Sequence, residues 1–98
     1  MTEIVFCRDP HPQGIVFRMG GKEGVARFSP YAWLSFCDHE VTARTLKLDF
    51  SRYDVVLRAA DNHSLSHVFA AIAKNECSEV IEKLGVLTIE IIEKEERG

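Results

Sequence analysis

Three groups of residues in this sequence have types and spacings that could do chemistry. The first lies in Asp61-Asn62-His63-Ser64-Leu65-Ser66-His67. If a helix begins near Asn62, His63 and His67 stand one turn apart and face away from Leu65. An i, i+4 histidine pair can chelate zinc or another borderline metal. A catalytic centre needs a third protein ligand, and the glutamate of an HExxH motif is replaced here by Ser64. Cys37-Asp38-His39 could complete the set if the turn carrying it folds nearby. The other reading is two solvated polar side chains in the first turns of a helix, because two ligands define no site.

The thiols form the second group. Cys7, Cys37 and Cys77 are odd in number, far apart and without a CxxC pair, which suits reduced thiols in a cytoplasmic setting. Cys77 falls on an apolar stripe and reads as buried and inert. Cys37 lies beside Asp38, with no cation except His39 to lower its pKa, so it is a poor nucleophile. Gly20-Gly21-Lys22-Glu23-Gly24 lacks the trailing Lys-Ser/Thr of a P-loop and opens a strand, so a hairpin turn accounts for its glycines.

The third group is aromatic: Phe28, Tyr31, Trp33 and Phe36 fall within nine residues. Such side chains fill cores, and they also dominate binding surfaces. Tyr31, Trp33 and Phe36 are therefore the candidate interaction surface. A second candidate is the last strand, which as a sheet edge could pair with a copy of itself.

The elements that must position these groups follow from periodicity. Residues 3–7 and 15–19 read as strands, separated by Asp9-Pro10-His11-Pro12-Gln13-Gly14, and residues 25–28 as a third. Ser29-Pro30 resembles a helix start, with a short helical turn over 31–34 and Cys37-Asp38-His39 in the turn after it. Residues 40–50 alternate with Leu46, Leu48 and Phe50 on one face. Ser51-Arg52 then turns the chain into 53–59, where Tyr53, Val55 and Leu57 repeat the pattern.

Beyond Asp61-Asn62, either of which can cap a helix, the period changes. Leu65, Val68, Phe69 and Ile72 recur at i, i+3, i+4 and i+7, and Cys77, Val80, Ile81 and Leu84 repeat that spacing on a face about 110° away. This predicts two helical segments with a break over 75–78, a cap at Ser78 and an end at Gly85. Residues 86–92 form the final strand, with Leu87, Ile89 and Ile91 inward, and 93–98 a frayed charged tail. The expected fold is one α+β domain over 1–98. An antiparallel sheet of five or six strands is packed on one face by a kinked C-terminal helical pair, and the last strand joins that sheet.

Composition narrows the function. The net charge is −3, and basic residues are scattered between acids, unlike the basic stripe of a nucleic-acid binder. Apolar runs fall far short of the roughly 20 residues that span a bilayer, and no secretory leader is visible at Met1. The expectation is a small, non-enzymatic cytoplasmic interaction or regulatory module. It needs no cofactor and self-associates as a homodimer or binds another protein. The alternative is a metal-binding protein or metal-dependent enzyme built on His63 and His67.

Overall fold

The computed structural model describes residues 5–6, 13–20, 24–60 and 63–94. Eight strands and one helix follow in order: β1 Val5–Phe6, β2 Gly14–Met19, β3 Val25–Pro30, β4 Leu34–Glu40, β5 Thr45–Phe50, β6 Tyr53–Ala59, α1 Ser66–Ala73, β7 Glu79–Ile81 and β8 Leu87–Glu93. The strands make two sheets, ordered β1-β7-β2-β3 and β4-β5-β6-β8. The pairing is antiparallel throughout except for β2 with β7, which is parallel. The fold is mostly β, and the expected single sheet under a helical pair is not formed.

The two sheets enclose one core. Ile15 and Phe17 of β2 and Val80 of β7 face Leu46, Leu48 and Phe50 of β5, with Tyr53, Val55 and Leu57 of β6 and Leu87 and Ile89 of β8. Period-two alternation brings each of these side chains to the same inner face. Phe17 meets Phe50 edge to face at 6.1 Å, and Phe50 meets Tyr53 at 5.5 Å. The hairpin over β5 and β6 forms with the inward residues expected from the alternation. Its strand starts at Thr45, because residues 41–44 make a turn in which Arg44 takes φ 52°. The stretch 40–50 is therefore the end of β4, a turn and one strand.

Helix α1 uses the predicted stripe. Leu65, Val68 and Ile72 are buried and Phe69 is partly buried against the core. The expected caps Asp61 and Asn62 lie outside the described residues. The Ser64 hydroxyl accepts from the amide of Ser66 at 3.1 Å. At the other end Asn75 adopts φ 57°, its amide reaches the Ile72 carbonyl at 3.0 Å, and the Glu76 amide reaches Ala71 at 2.8 Å. This is the hydrogen-bond pattern of a Schellman termination with asparagine in the left-handed position. The chain break expected over 75–78 is thus present.

The second helical segment is not. After the break the chain becomes β7, and Ser78 caps no helix: its carbonyl accepts from the Val16 amide at 2.9 Å, which starts the parallel pairing with β2. Cys77 and Val80 are buried, while Leu84, assigned to the same stripe, is 98% exposed. Leu84 sits in the turn between β7 and β8, where Gly85 takes φ 80°. The helical spacing of 77–84 is a coincidence of a buried cysteine before β7, the one buried residue of that strand, Val80, and a turn residue. β8 then lies at the edge of the second sheet, paired with β6. The tail expected from 93 onward begins inside β8. Glu93 is its last residue, Lys94 donates to the Phe50 carbonyl at 2.7 Å, and 95–98 lie outside the described residues.

Ser29 also has a different role from the expected cap. It lies in β3, fully buried, and its hydroxyl hydrogen-bonds that of Tyr53 at 2.6 Å across the two sheets. Residues Tyr31–Trp33 form a single 3-10 turn without a side-chain cap, and this turn carries the chain from one sheet to the other. Removing either hydroxyl leaves its partner buried and unpaired, at a cost of about 1–3 kcal/mol. Ser29→Ala and Tyr53→Phe should each lower the urea midpoint accordingly. The double variant should lose clearly less than the sum of the two single losses.

Candidate functional site

The chain leaves the first sheet through β3 and enters the second through β4, and the residues between them carry little charge. Over 25–36 the sequence is Val-Ala-Arg-Phe-Ser-Pro-Tyr-Ala-Trp-Leu-Ser-Phe, with Arg27 its single charged residue. Arg27 is already engaged: its guanidinium lies 4.7 Å from the centre of the Tyr53 ring and bonds Glu93 at 3.0 Å. Among the described residues, every exposed large aromatic lies in this segment. Phe28 is 54%, Trp33 43% and Phe36 50% exposed, and Val25 adds a fourth apolar side chain at 67%. Single exposed apolar residues are ordinary on any surface, but their concentration in one uncharged stretch is not.

Two of the three expected surface residues, Trp33 and Phe36, therefore lie on the surface. Tyr31 serves the fold instead. It is half-buried, and its hydroxyl donates to the Cys77 carbonyl at 2.6 Å, tying the 3-10 turn to the segment after α1. Phe28 extends the surface on the other side of the turn, and Val25, exposed at the start of β3, lies on the opposite face by alternation. Phe28 points to the outer face of its sheet, and its ring passes over Gly14 so closely that a Cβ there would lie 2.7 Å from the ring carbon Cζ. The pairing of Gly14 with Pro30 places that glycine opposite the end of β3.

The histidines are arranged otherwise than a helical pair. α1 begins at Ser66, so His63 lies before it and only His67 is helical; both are exposed. Cys37, Asp38 and His39 lie in β4 rather than in a turn. Alternation separates them, with Cys37 and His39 directed toward the core side and Asp38 toward solvent. The His39 ring stacks near Phe69 of α1 at 5.4 Å. Among the described residues, no three His, Cys, Asp or Glu side chains gather where they could hold a metal ion.

The outer face of the second sheet carries a shallow concavity of about 400 Å³ lined in part by Asp38, Glu40, Lys47, Val56 and Arg58. Its two cations are paired across strands: Lys47 with Asp54 at 3.8 Å and Arg58 with Glu90 at 2.7 Å. Lys94 pairs with Asp49 and lies 3.7 Å from Asp54. The hydrogen bond that the Lys94 ammonium donates to Asp49 raises the Lys94 pKa above the ordinary lysine value. A second depression, of about 510 Å³, lies beside Gly20, Glu82 and Leu84. There the Glu82 carboxylate is used structurally, accepting from the amides of Gly20 at 2.7 Å and Ile89 at 2.8 Å.

In comparison with known proteins, no family model matches the chain, and no curated protein or solved structure matches it. Among the described residues no helix is long and apolar enough to cross a membrane.

Cys37 tests the chemistry of this region. Burial pushes its thiol up to about 11, and the Asp38 carboxylate adds to the rise. The thiolate is thus disfavoured, opposite to what a nucleophile requires. Peptide-resolved alkylation should find Cys37 slow at neutral pH, with a rate still climbing above pH 9. The folded thiol binds its proton more tightly than the unfolded one, so the stability it confers is complete below pH 9 and is lost as pH rises through about 11. Cys37→Ser should flatten that alkaline loss.

Proposed function

We propose that this domain is a non-enzymatic interaction module that associates with a second copy of itself through the surface of residues 25–36. The observation that carries this reading is the coincidence of exposed aromatic side chains with the absence of free charge in that segment. A symmetric dimer places one patch against itself, so the patch must be self-complementary. An apolar patch meets this requirement directly. A surface with several unbalanced charges of one sign would repel its copy, and the single Arg27 here is held by Glu93 within its own chain. Aromatic side chains supply the contact area that anchors such interfaces.

The acidic balance of the whole chain, −3, is compatible with close approach of two copies at physiological salt, where exposed charges more than about 8 Å apart are largely screened. The paired charges on the outer face of the second sheet offer no comparable apolar anchor.

Sedimentation velocity over a concentration series should show a monomer–dimer equilibrium. Trp33 is the one tryptophan of the chain, and its emission should shift to shorter wavelength as the dimer forms. Phe28→Ser combined with Phe36→Ser should weaken association at least tenfold, since each truncated aromatic anchor is worth roughly 1–2 kcal/mol. The folded state should persist, because neither ring belongs to the core. A chain that stays monomeric throughout, with unshifted Trp33 emission, would exclude the reading.

A further inference from the structure

The hydrogen-bond parity of β3 shows which of its backbone groups point away from β2. In an antiparallel ladder, directly opposed residues alternate between pairs that exchange both bonds and pairs that exchange none. Tyr31 donates to the Gln13 carbonyl at 3.0 Å, so that pair is bonded, and with it every second pair along β2 and β3: Ile15 with Ser29, Phe17 with Arg27, Met19 with Val25. Val16 confirms the parity, because its amide points the other way, to Ser78. The amides and carbonyls of Ala26 and Phe28 therefore point away from β2, as does the Pro30 carbonyl. Among the described residues, nothing is shown bonded to those groups.

The other long edges are protected in part. β8 has the corresponding groups at Leu87, Ile89, Ile91 and Glu93, and the first two amides are taken: Leu87 donates to Lys83 at 2.9 Å and Ile89 to the Glu82 carboxylate at 2.8 Å. Self-pairing of that strand, one of the two surfaces expected from the sequence, is thereby obstructed at its start. β4 has an irregular register between Leu34 and Phe36, and it carries Asp38 and Glu40, which would oppose like charges in a self-pair. Natural sheets protect edges by such means: charges, bulges and covered amides. β3 has one charge, Arg27, which is held by Glu93 within its own chain, and Pro30 at its end.

We infer that β3 pairs antiparallel with β3 of a second copy, with Phe28 on the two-fold axis, so that the first sheets of two molecules become one continuous sheet. This rests on the self-association proposed above and specifies its geometry. Opposed residues in a sheet share a face, so the axis must pass through a residue or between pairs of equal parity. An axis at Arg27 would set two guanidinium groups opposite each other. An axis at Phe28 sets Arg27 against the copy's Ser29 and Ala26 against its Pro30. Phe28 then exchanges both backbone bonds with its counterpart. Each Ala26 amide reaches the opposite Pro30 carbonyl, so the missing proline N–H costs one bond per strand and no more. On the outer face the two Phe28 rings, each already lying over its own Gly14, become neighbours flanked by small residues.

Amide hydrogen exchange separates this geometry from contact by side chains alone. At concentrations about a hundredfold above the dissociation constant, the amides of Ala26 and Phe28 should exchange about tenfold more slowly than in dilute protein, while those of Arg27 and Ser29 are protected in both. Ala26→Pro removes an edge donor without touching the ladder to β2 and should yield a folded monomer, checked by near-ultraviolet circular dichroism. A dimer in which Ala26 and Phe28 gain no protection, or one that survives Ala26→Pro, overturns the edge pairing and leaves self-association standing. A monomer at every concentration overturns both. Should Ala26→Pro fail to fold, the exchange pattern of the unmodified chain decides alone.

Discussion

Tyr53 is the point on which the two sheets depend. Its ring is 5% exposed, stacked beside Phe50 and covered by the Arg27 guanidinium, and its hydroxyl meets that of Ser29 inside the core. Most of the contact between the sheets is apolar, which has no direction and would tolerate sliding. A buried hydroxyl pair has direction, and a misaligned sandwich would leave both groups unsatisfied at a cost comparable to much of a small domain's margin. Arg27 continues the constraint outward to Glu93, so β3, β6 and β8 are held by neighbouring contacts. Glu82 does similar work at the opposite end of β2, where one carboxylate fastens Gly20 to Ile89.

These constraints explain what could be read from the chain and what could not. The hairpin of β5 and β6 was legible because Leu46, Leu48 and Phe50 and then Tyr53, Val55 and Leu57 alternate without exception around a two-residue turn. The buried stripe of α1 was legible because apolar spacing is a local signal, and the change of stripe marked the region where the helix ends, although its start was expected near Asn62 and lies at Ser66. The segment 77–84 was misread because a strand of three residues is shorter than the windows that distinguish periods of 2 and 3.6. Val80-Ile81 carried the one contrary hint, two β-branched residues together. Ser29 was misread for a different reason. Ser-Pro is a sound local signature of a helix start, and a contact to a residue 24 positions away overrode it.

The candidate surface was half legible. Aromatic density drew attention to Tyr31, Trp33 and Phe36, yet composition cannot say which rings turn inward. Tyr31 is drawn in by the Cys77 carbonyl, while Phe28 and Val25 are left out by the position of β3 at the edge of its sheet. Edge position is a property of topology, and topology here hinges on β7 entering beside β2 after most of the chain has folded back. Once α1 starts at Ser66, His63 belongs to the approach and His67 to an exposed helical position.

The protection of edges is uneven, and that unevenness links stability to function. Glu82 occupies an amide of β8 that would otherwise be available to another strand, and acidic side chains guard β4. Both devices spend charged groups on preventing pairing. Arg27 is the only charge on β3, and it is directed inward, over Tyr53, where it fastens the sandwich and guards nothing. A lysine or glutamate at Ala26 or Phe28 would have protected that edge without disturbing the core, since both side chains lie on the outer face. The sequence places alanine and phenylalanine there instead. An edge that no described residue covers, beside an uncharged aromatic turn, in a molecule that charges β4 and covers the start of β8, is what a strand reserved for pairing requires.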